Sequence, residues 1–271
     1  MELRQQALRA LRESDPRAKA AQARALHGMA GQLPLSPSAP PPPAALPGRP
    51  ERPRLVHPAQ VPRRSPGTPE GLAALLHAIA HIEFNAINLA LDAVWRFEGM
   101  PEAFHHDWLR VAAEEAFHFT LLADHLATMG HAYGDFDAHD GLWAMCEKTK
   151  EDVVARMALV PRTLEARGLD ATPQIQRKLR QVGTAAALRA VEILDVILRD
   201  EVGHVAIGNH WYRHLCEREG LDPVAHYGAL VERYAAPRLH PPFNFDARRR
   251  AGFSEAELAY LAGSPDLSSR P

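Results

Sequence analysis

Cysteine is nearly absent from this chain. Cys146 and Cys216 are the two in 271 residues, too few for a disulfide framework, and both are expected to be reduced, buried thiols. Long apolar runs are missing as well: none approaches the 18 or more residues that a membrane span needs. The N-terminus, MELRQQALRALRESDPRAKAAQ, has neither the apolar core nor the cleavage site of a secretory signal, so a cytoplasmic location with no membrane partner is expected. Neither sign of charge dominates. A formal net charge of -2 provides no global field toward nucleic acid or an anionic membrane, and a nucleic-acid partner is not expected. No G-x-G-x-x-G fingerprint marks a dinucleotide or flavin site, and no His-Glu-x-x-His marks a zinc protease. What is present is an apolar fraction of 46%, ample for the core of a soluble globular protein with one ordinary domain and tails, or two small domains.

Helical periodicity dominates, and β-branched alternation is scarce. Residues 1–32 read as an N-terminal helical extension, with Asp15-Pro16 as a break and N-cap signal. Residues 33–68, containing LPLSPSAPPPPAALPGRPERP, form a proline-rich linker or surface-hugging arm, because proline cannot donate helix or sheet hydrogen bonds. Residues 69–234 hold four long helical stretches: about 69–98, 101–129, 140–167 with a kink at Pro161 and a stop at Gly168, and from about Thr172-Pro173 to 217 with a bend at Gly183. Short connections between long helices predict an all-α four-helix bundle. Residues 235–271 read as an irregular C-terminal arm in which FSEAELAYL is a short capped helix.

Residues three and four apart share a helix face, so each acid can be assigned to core or solvent by its neighbours. Glu83 lies among Leu76, Ile79, Ala80, Ala86, Ile87, Ala90 and Val94. Glu115 lies among Trp108, Val111, Ala112, Phe119 and Leu122, with His118 as its one polar companion. Glu201 lies among Leu194, Ile197, Leu198, Val205 and Gly208, joined by His204. A buried carboxylate without compensation costs several kcal/mol, by rough estimate. No lysine or arginine occupies the matching face positions of these helices, so a cation is the expected compensation. Two Glu-x-x-His pairs plus one glutamate from each of two further helices are a ligand set for two metal ions in a helical bundle. Oxygen-rich ligation suits iron or manganese better than a structural zinc.

Glu165 and Glu192 compete for the fourth carboxylate. Glu192 sits beside Arg189, Asp195 and Arg199 and half a turn out of phase with Glu201, whereas Glu165 shares a stripe with Val154, Ala158 and Leu169, with Arg162 nearby. Glu83 precedes Glu115 by 32 residues and Glu165 precedes Glu201 by 36, which favours Glu165. Its place near the apparent end of its helix would be explained if the chain resumed helically past Asp170.

The set Glu83, Glu115-Ala116-Phe117-His118, Glu165 and Glu201-Val202-Gly203-His204 resembles the ligand pattern of the ferritin-like di-iron carboxylate superfamily, over about residues 70–217. The stretches EARGLD and RDEVGHVAIGNHW are similar to an uncharacterised bacterial domain-of-unknown-function branch of it. The resemblance implies a ferritin-like bundle with two Fe ions, or Mn or a mixed Mn/Fe pair, reacting with dioxygen or peroxide, as in hydroxylases (including a tRNA hydroxylase branch), desaturases, ribonucleotide reductase small subunits and ferroxidases. It also implies an acid hydrogen-bonded to a ligand histidine, for which Asp200 and Glu114 stand in the right places.

The leading expectation is a di-iron oxidoreductase acting on an unknown small organic molecule, supplied with electrons by a separate reductase, as a monomer or homodimer. An iron-handling ferroxidase without organic substrate and a metal-free helical interaction module are the alternatives. The remaining histidines, among them His77, His81, His105, His106, His125, His210 and His214, are expected on surfaces or interfaces. Tyr212 is expected to be a core tyrosine with a bonded hydroxyl. Gly208 is expected to open space for substrate or to permit close packing, and Arg248-Arg249-Arg250 to form a solvated basic turn.

Overall fold

The computed structural model describes residues 2–39, 41 and 45–263. Among them the chain is helical, with no strand and one isolated β-bridge between Leu55 and Ala138. It divides into two compact units: residues 1–144 with 178–194, and residues 145–177 with 195–271.

The first unit is built on α3 (Pro69–Arg96) and α4 (Glu102–Thr128), which share the most extensive contact between helices. Thr68 caps α3 by accepting from Gly71 N–H at 3.1 Å, Pro69 occupies the first turn, and Gly99 at φ 70° ends the connection that follows. By length and mean hydropathy (1.3) α3 is apolar enough to cross a membrane, but 78% of its most apolar window is buried inside the protein. It is a core helix.

The N-terminal extension folds onto this pair as α1 (Leu3–Arg12) against α3 and α2 (Pro16–Met29) against α4. Asp15 caps α2 as its sequence signal predicts, accepting from Ala18 N–H at 2.7 Å. Two buried cations fasten the extension. Arg4 Nε donates to Trp95 O at 2.9 Å, and Lys19 Nζ donates to Leu11 O, Gly48 O and Asn88 Oδ1. The proline-rich arm lies along the same unit: Gly48 N–H bonds Leu11 O, Arg49 pairs with Asp140 and Arg54 with Asp137.

Several histidines expected on the surface are buried. His77, His81, His105 and His125 are all 7% exposed or less, because they find partners that helical periodicity cannot reveal. Gly134 N–H donates to His77 Nε2, Tyr133 Oη meets His81 Nδ1 at 2.8 Å, and His105 Nδ1 bonds Val94 O. Burial lowers His77 and His105 to about 4. An imidazole whose folded pKa lies below its ordinary 6.5 is neutral in the fold but takes a proton in the unfolded chain, so its contribution is complete above about pH 7 and lost as pH falls through 6.5 toward 4. Each is worth on the order of 2 to 3 kcal/mol at neutral pH. Thermal melts should therefore show stability level above pH 7 and falling steeply between 6.5 and 4.5; a flat profile there would contradict the buried neutral imidazoles.

In the second unit the stretch predicted as one helix to Arg167 is divided. α5 (Gly141–Lys148), whose last residues belong here, gives way to α6 (Val153–Leu159), capped by Asp152 on Ala155 N–H. A π-helical segment, Val160–Glu165, follows, and α7 (Ala166–Val182) continues it. The kink expected at Pro161 is this π segment, in which Thr163 Oγ1 donates to Ala158 O at 2.7 Å. Gly168 does not stop the helix. The stop is Gly183, whose φ of 70° is the left-handed conformation that ends helices. Pro173, expected to start a helix, lies inside α7. It leaves the Leu169 carbonyl without its i+4 donor, and Asn244 Nδ2 supplies one at 3.1 Å.

α8 (Ala185–Glu219) passes from the first unit into the second. There α9 (Pro223–Arg233) packs on α6, and α10 (Phe245–Arg250) and α11 (Glu255–Leu261) complete the C-terminal arm. Ala166, Leu169, Val205, Ala247 and Ala251 form its apolar core. The helix expected in FSEAELAYL is present, with a capping box between Ser254 and Glu257.

Candidate metal centre

In the first unit α3 brings Glu83, and α4 brings Glu115 and His118, one turn apart on one face. All three are buried, at 4%, 0% and 0% exposure. His118 Nδ1 lies 3.2 Å from Glu83 Oε2 and 3.5 Å from Glu115 Oε2. Each residue offers a ligand atom within 4.8 Å of the others. Burial, and then the adjacent Glu115 charge, push the Glu83 carboxyl well above the ordinary carboxylate range, with His118 opposing both. This buried group of carboxylates and imidazole could bind a metal ion: a cation would relieve the repulsion that otherwise forces a proton onto the pair.

His81, two residues before Glu83, turns away from this group as its position on the helix predicts. Its Nδ1 faces Tyr133 Oη and its Nε2 faces Asn85 Nδ2.

In the second unit Glu165 closes the π segment at 7% exposure, and α8 carries Glu201 and His204 at 8% and 0%. His204 Nδ1 lies 3.7 Å from Glu201 Oε1. As in the first unit, the Nδ1 edge of the imidazole is the one that faces a carboxylate. The chain resumes helically past Asp170, the condition that Glu165 needed. Glu192 is on a solvent face: its side chain is 65% exposed and pairs with Arg189 at 2.6 Å. Asp200 is largely buried and forms an ion pair with Arg199 at 2.8 Å, while Glu114 is more exposed and lies 3.8 Å from Arg110.

Gly208, one turn beyond His204, serves close packing. A Cβ there would come within 2.7 Å of Pro161 Cβ, so the absence of a side chain lets α8 lie against the π segment that carries Glu165. Tyr212 is a core residue whose hydroxyl donates to Pro223 O at 2.7 Å.

The basic turn is only partly solvated. Arg249 and Arg250 are exposed, but Arg248 is fully buried and pairs with Asp170 at 2.6 Å. Sequence reasoning also missed the buried pair Arg162–Glu257; the signal was Arg162 falling on the Glu165 stripe. Burial raises the Glu257 carboxyl, but Arg162, the Ser254 N–H and Arg213 outweigh it and hold the group below its ordinary range.

An uncharacterized protein of Haemophilus influenzae is 55% identical over 221 residues, which cover 78% of this chain and 75% of the relative. No solved structure matches. Residues 12–259 match a family described as Protein of unknown function (DUF455), and with that match over most of its length the chain belongs to the DUF455 family.

Proposed function

We propose that Glu83, Glu115, His118, Glu165, Glu201 and His204 hold two transition-metal ions, and that the protein is a dinuclear-metal oxidoreductase. The observation that carries this reading is the buried group of Glu83, Glu115 and His118, with ligand atoms within 4.8 Å of one another and a carboxyl driven far from its ordinary pKa. Glu165, Glu201 and His204 repeat the same donor types on the other half of the chain, also buried. In this reading α3, α4, the continuous α6–π–α7 stretch and α8 are the four helices of a ferritin-like bundle.

Four carboxylates and two imidazoles match iron or manganese. Bound iron would supply the capacity to activate dioxygen or peroxide and so to oxidise a small organic substrate. The chain's own residues set the conditions. The carboxylates hold positive charge in an apolar interior, the Nδ1 edges of His118 and His204 complete the donor set, and Asp200 and Glu114 are assigned to fixing those rings. In the first unit the buried apolar side chains of Phe119 and Leu122 follow Glu115 and His118 along α4 and exclude water. Electrons come from a separate reductase, and the protein works in the cytoplasm as a monomer or homodimer.

Oxygen uptake by the full chain, loaded anaerobically with ferrous iron, tests this reading. Continued uptake over many turnovers with a chemical reductant supports an oxidoreductase. A single burst limited by the iron supplied, unchanged by reductant, would instead indicate an iron-handling protein.

A further inference from the structure

The second unit contains a small cavity, about 20 Å³, among the π segment, α9 and the C-terminal arm. Arg162, Arg248, Glu257, Tyr227, Phe253 and Leu239 are among the residues that line it. Both arginines are buried, at 3% and 0% exposure. Both keep buried donors with no acceptor: Nε and Nη1 of Arg162, and Nη1 of Arg248. Buried guanidinium N–H groups left without acceptors are costly, so three of them beside one cavity call for an occupant that accepts hydrogen bonds.

The ion pairs do not satisfy these donors. Arg162 and Arg213 share Glu257, and Arg248 pairs with Asp170. Arg213 is 41% exposed and outside the cavity lining, so at the cavity each buried guanidinium has one carboxylate partner and still keeps its orphan donors. Aromatic rings surround them: Arg162 lies over Tyr212, Tyr227 and Phe253, and Arg248 over Phe243 and Phe253, with Phe253 touching both guanidinium groups at 5.1 and 5.3 Å. The ring faces offer only weak acceptors, and the Glu257 carboxylate in the lining is already bonded to Arg162 and Arg213.

Size narrows the choice of occupant. A cavity of this kind needs roughly 10–15 Å³ to hold one water, so the space suits a single small body better than a phosphate or sulfate. We propose that this cavity is a binding site for a monovalent, halide-sized anion, with chloride as the physiological occupant, held by Arg162 and Arg248. None of the six candidate metal ligands is among the residues that line the site. It would act on the fold by joining the π segment to the C-terminal arm through one shared anion.

The test uses the full chain in matched ionic strength of chloride, bromide, gluconate or sulfate. Saturating chloride or bromide should raise the melting temperature by about 4 °C over gluconate, whereas sulfate stabilises by exclusion from the surface and should do so equally in the wild type and in Leu239→Trp. Crystals grown in bromide should show an anomalous peak in the cavity, in contact with both arginines. Leu239→Trp fills the cavity while leaving both arginines and their ion pairs in place, and should abolish the halide effect with the fold retained by circular dichroism. Equal melting temperatures in chloride and gluconate, a water in the cavity of bromide-grown crystals, or a halide effect that survives Leu239→Trp would each overturn the assignment.

Discussion

Glu83→Leu will melt higher than the wild type when both are stripped of metal, and will no longer retain metal. The two effects share one cause. Glu83 is buried beside Glu115 and has its carboxyl raised by burial and by that neighbour's charge, so in the metal-free protein it is a poorly solvated group near a like charge. Replacing such a desolvated carboxyl with an apolar residue of similar volume removes its burial cost, on the order of 1–3 kcal/mol. That corresponds to a rise of roughly 3–8 °C for a chain of this size. The loss of the 3.2 Å contact with His118 subtracts from the gain without reversing it, because His118 keeps Glu115 at 3.5 Å. A melting temperature that falls in the metal-free variant would mean that Glu83 stabilises the fold directly and is not held there for a cation.

Arg248→Met will have the opposite effect, costing about 3–5 kcal/mol. Arg248 donates through Nε and Nη2 to both oxygens of Asp170 and also to Ala166 O. Removing it leaves Asp170 nearly buried without its counter-charge, on the turn of α7 that follows Glu165. Asp170 also accepts from Asn244 N–H, so the loss propagates into the C-terminal arm. Denaturant melts of Arg248→Met and of an Arg248→Met, Asp170→Asn double variant check this. The double variant should recover part of the loss, since the stranded charge is then gone; an additive further loss would show that the pair does not act as a unit.

Much of the candidate site could be read from helical phase alone. Glu83, Glu115 and Glu201 stand where apolar neighbours at three and four residues leave no doubt of the face, and all three are buried. Glu165 was harder, because helix geometry at a constant 100° per residue does not describe a chain that widens to a π turn at Val160–Glu165. Asp15, Thr68 and Ser254 act as caps because capping is local chemistry, written within four residues. The buried histidines were not legible. His77 and His81 are held by Tyr133 and Gly134, more than fifty residues away, and no local pattern reports such a partner. The same limit applies to the N-terminal extension and the proline-rich arm, whose attachment rests on Arg4 reaching Trp95 O and Arg49 reaching Asp140. Gly168 shows the converse: a glycine predicts a stop only where the backbone takes positive φ, and that happens at Gly183.

The central claim is the dinuclear centre, and metal content per chain tests it most directly. Protein purified from iron-supplemented cells should contain about two iron or manganese ions per chain by mass spectrometry, and a Glu115→Ala, Glu201→Ala variant that remains folded should contain none. A folded wild type without metal, unresponsive to added ferrous iron, would contradict the account and leave a helical interaction module in its place.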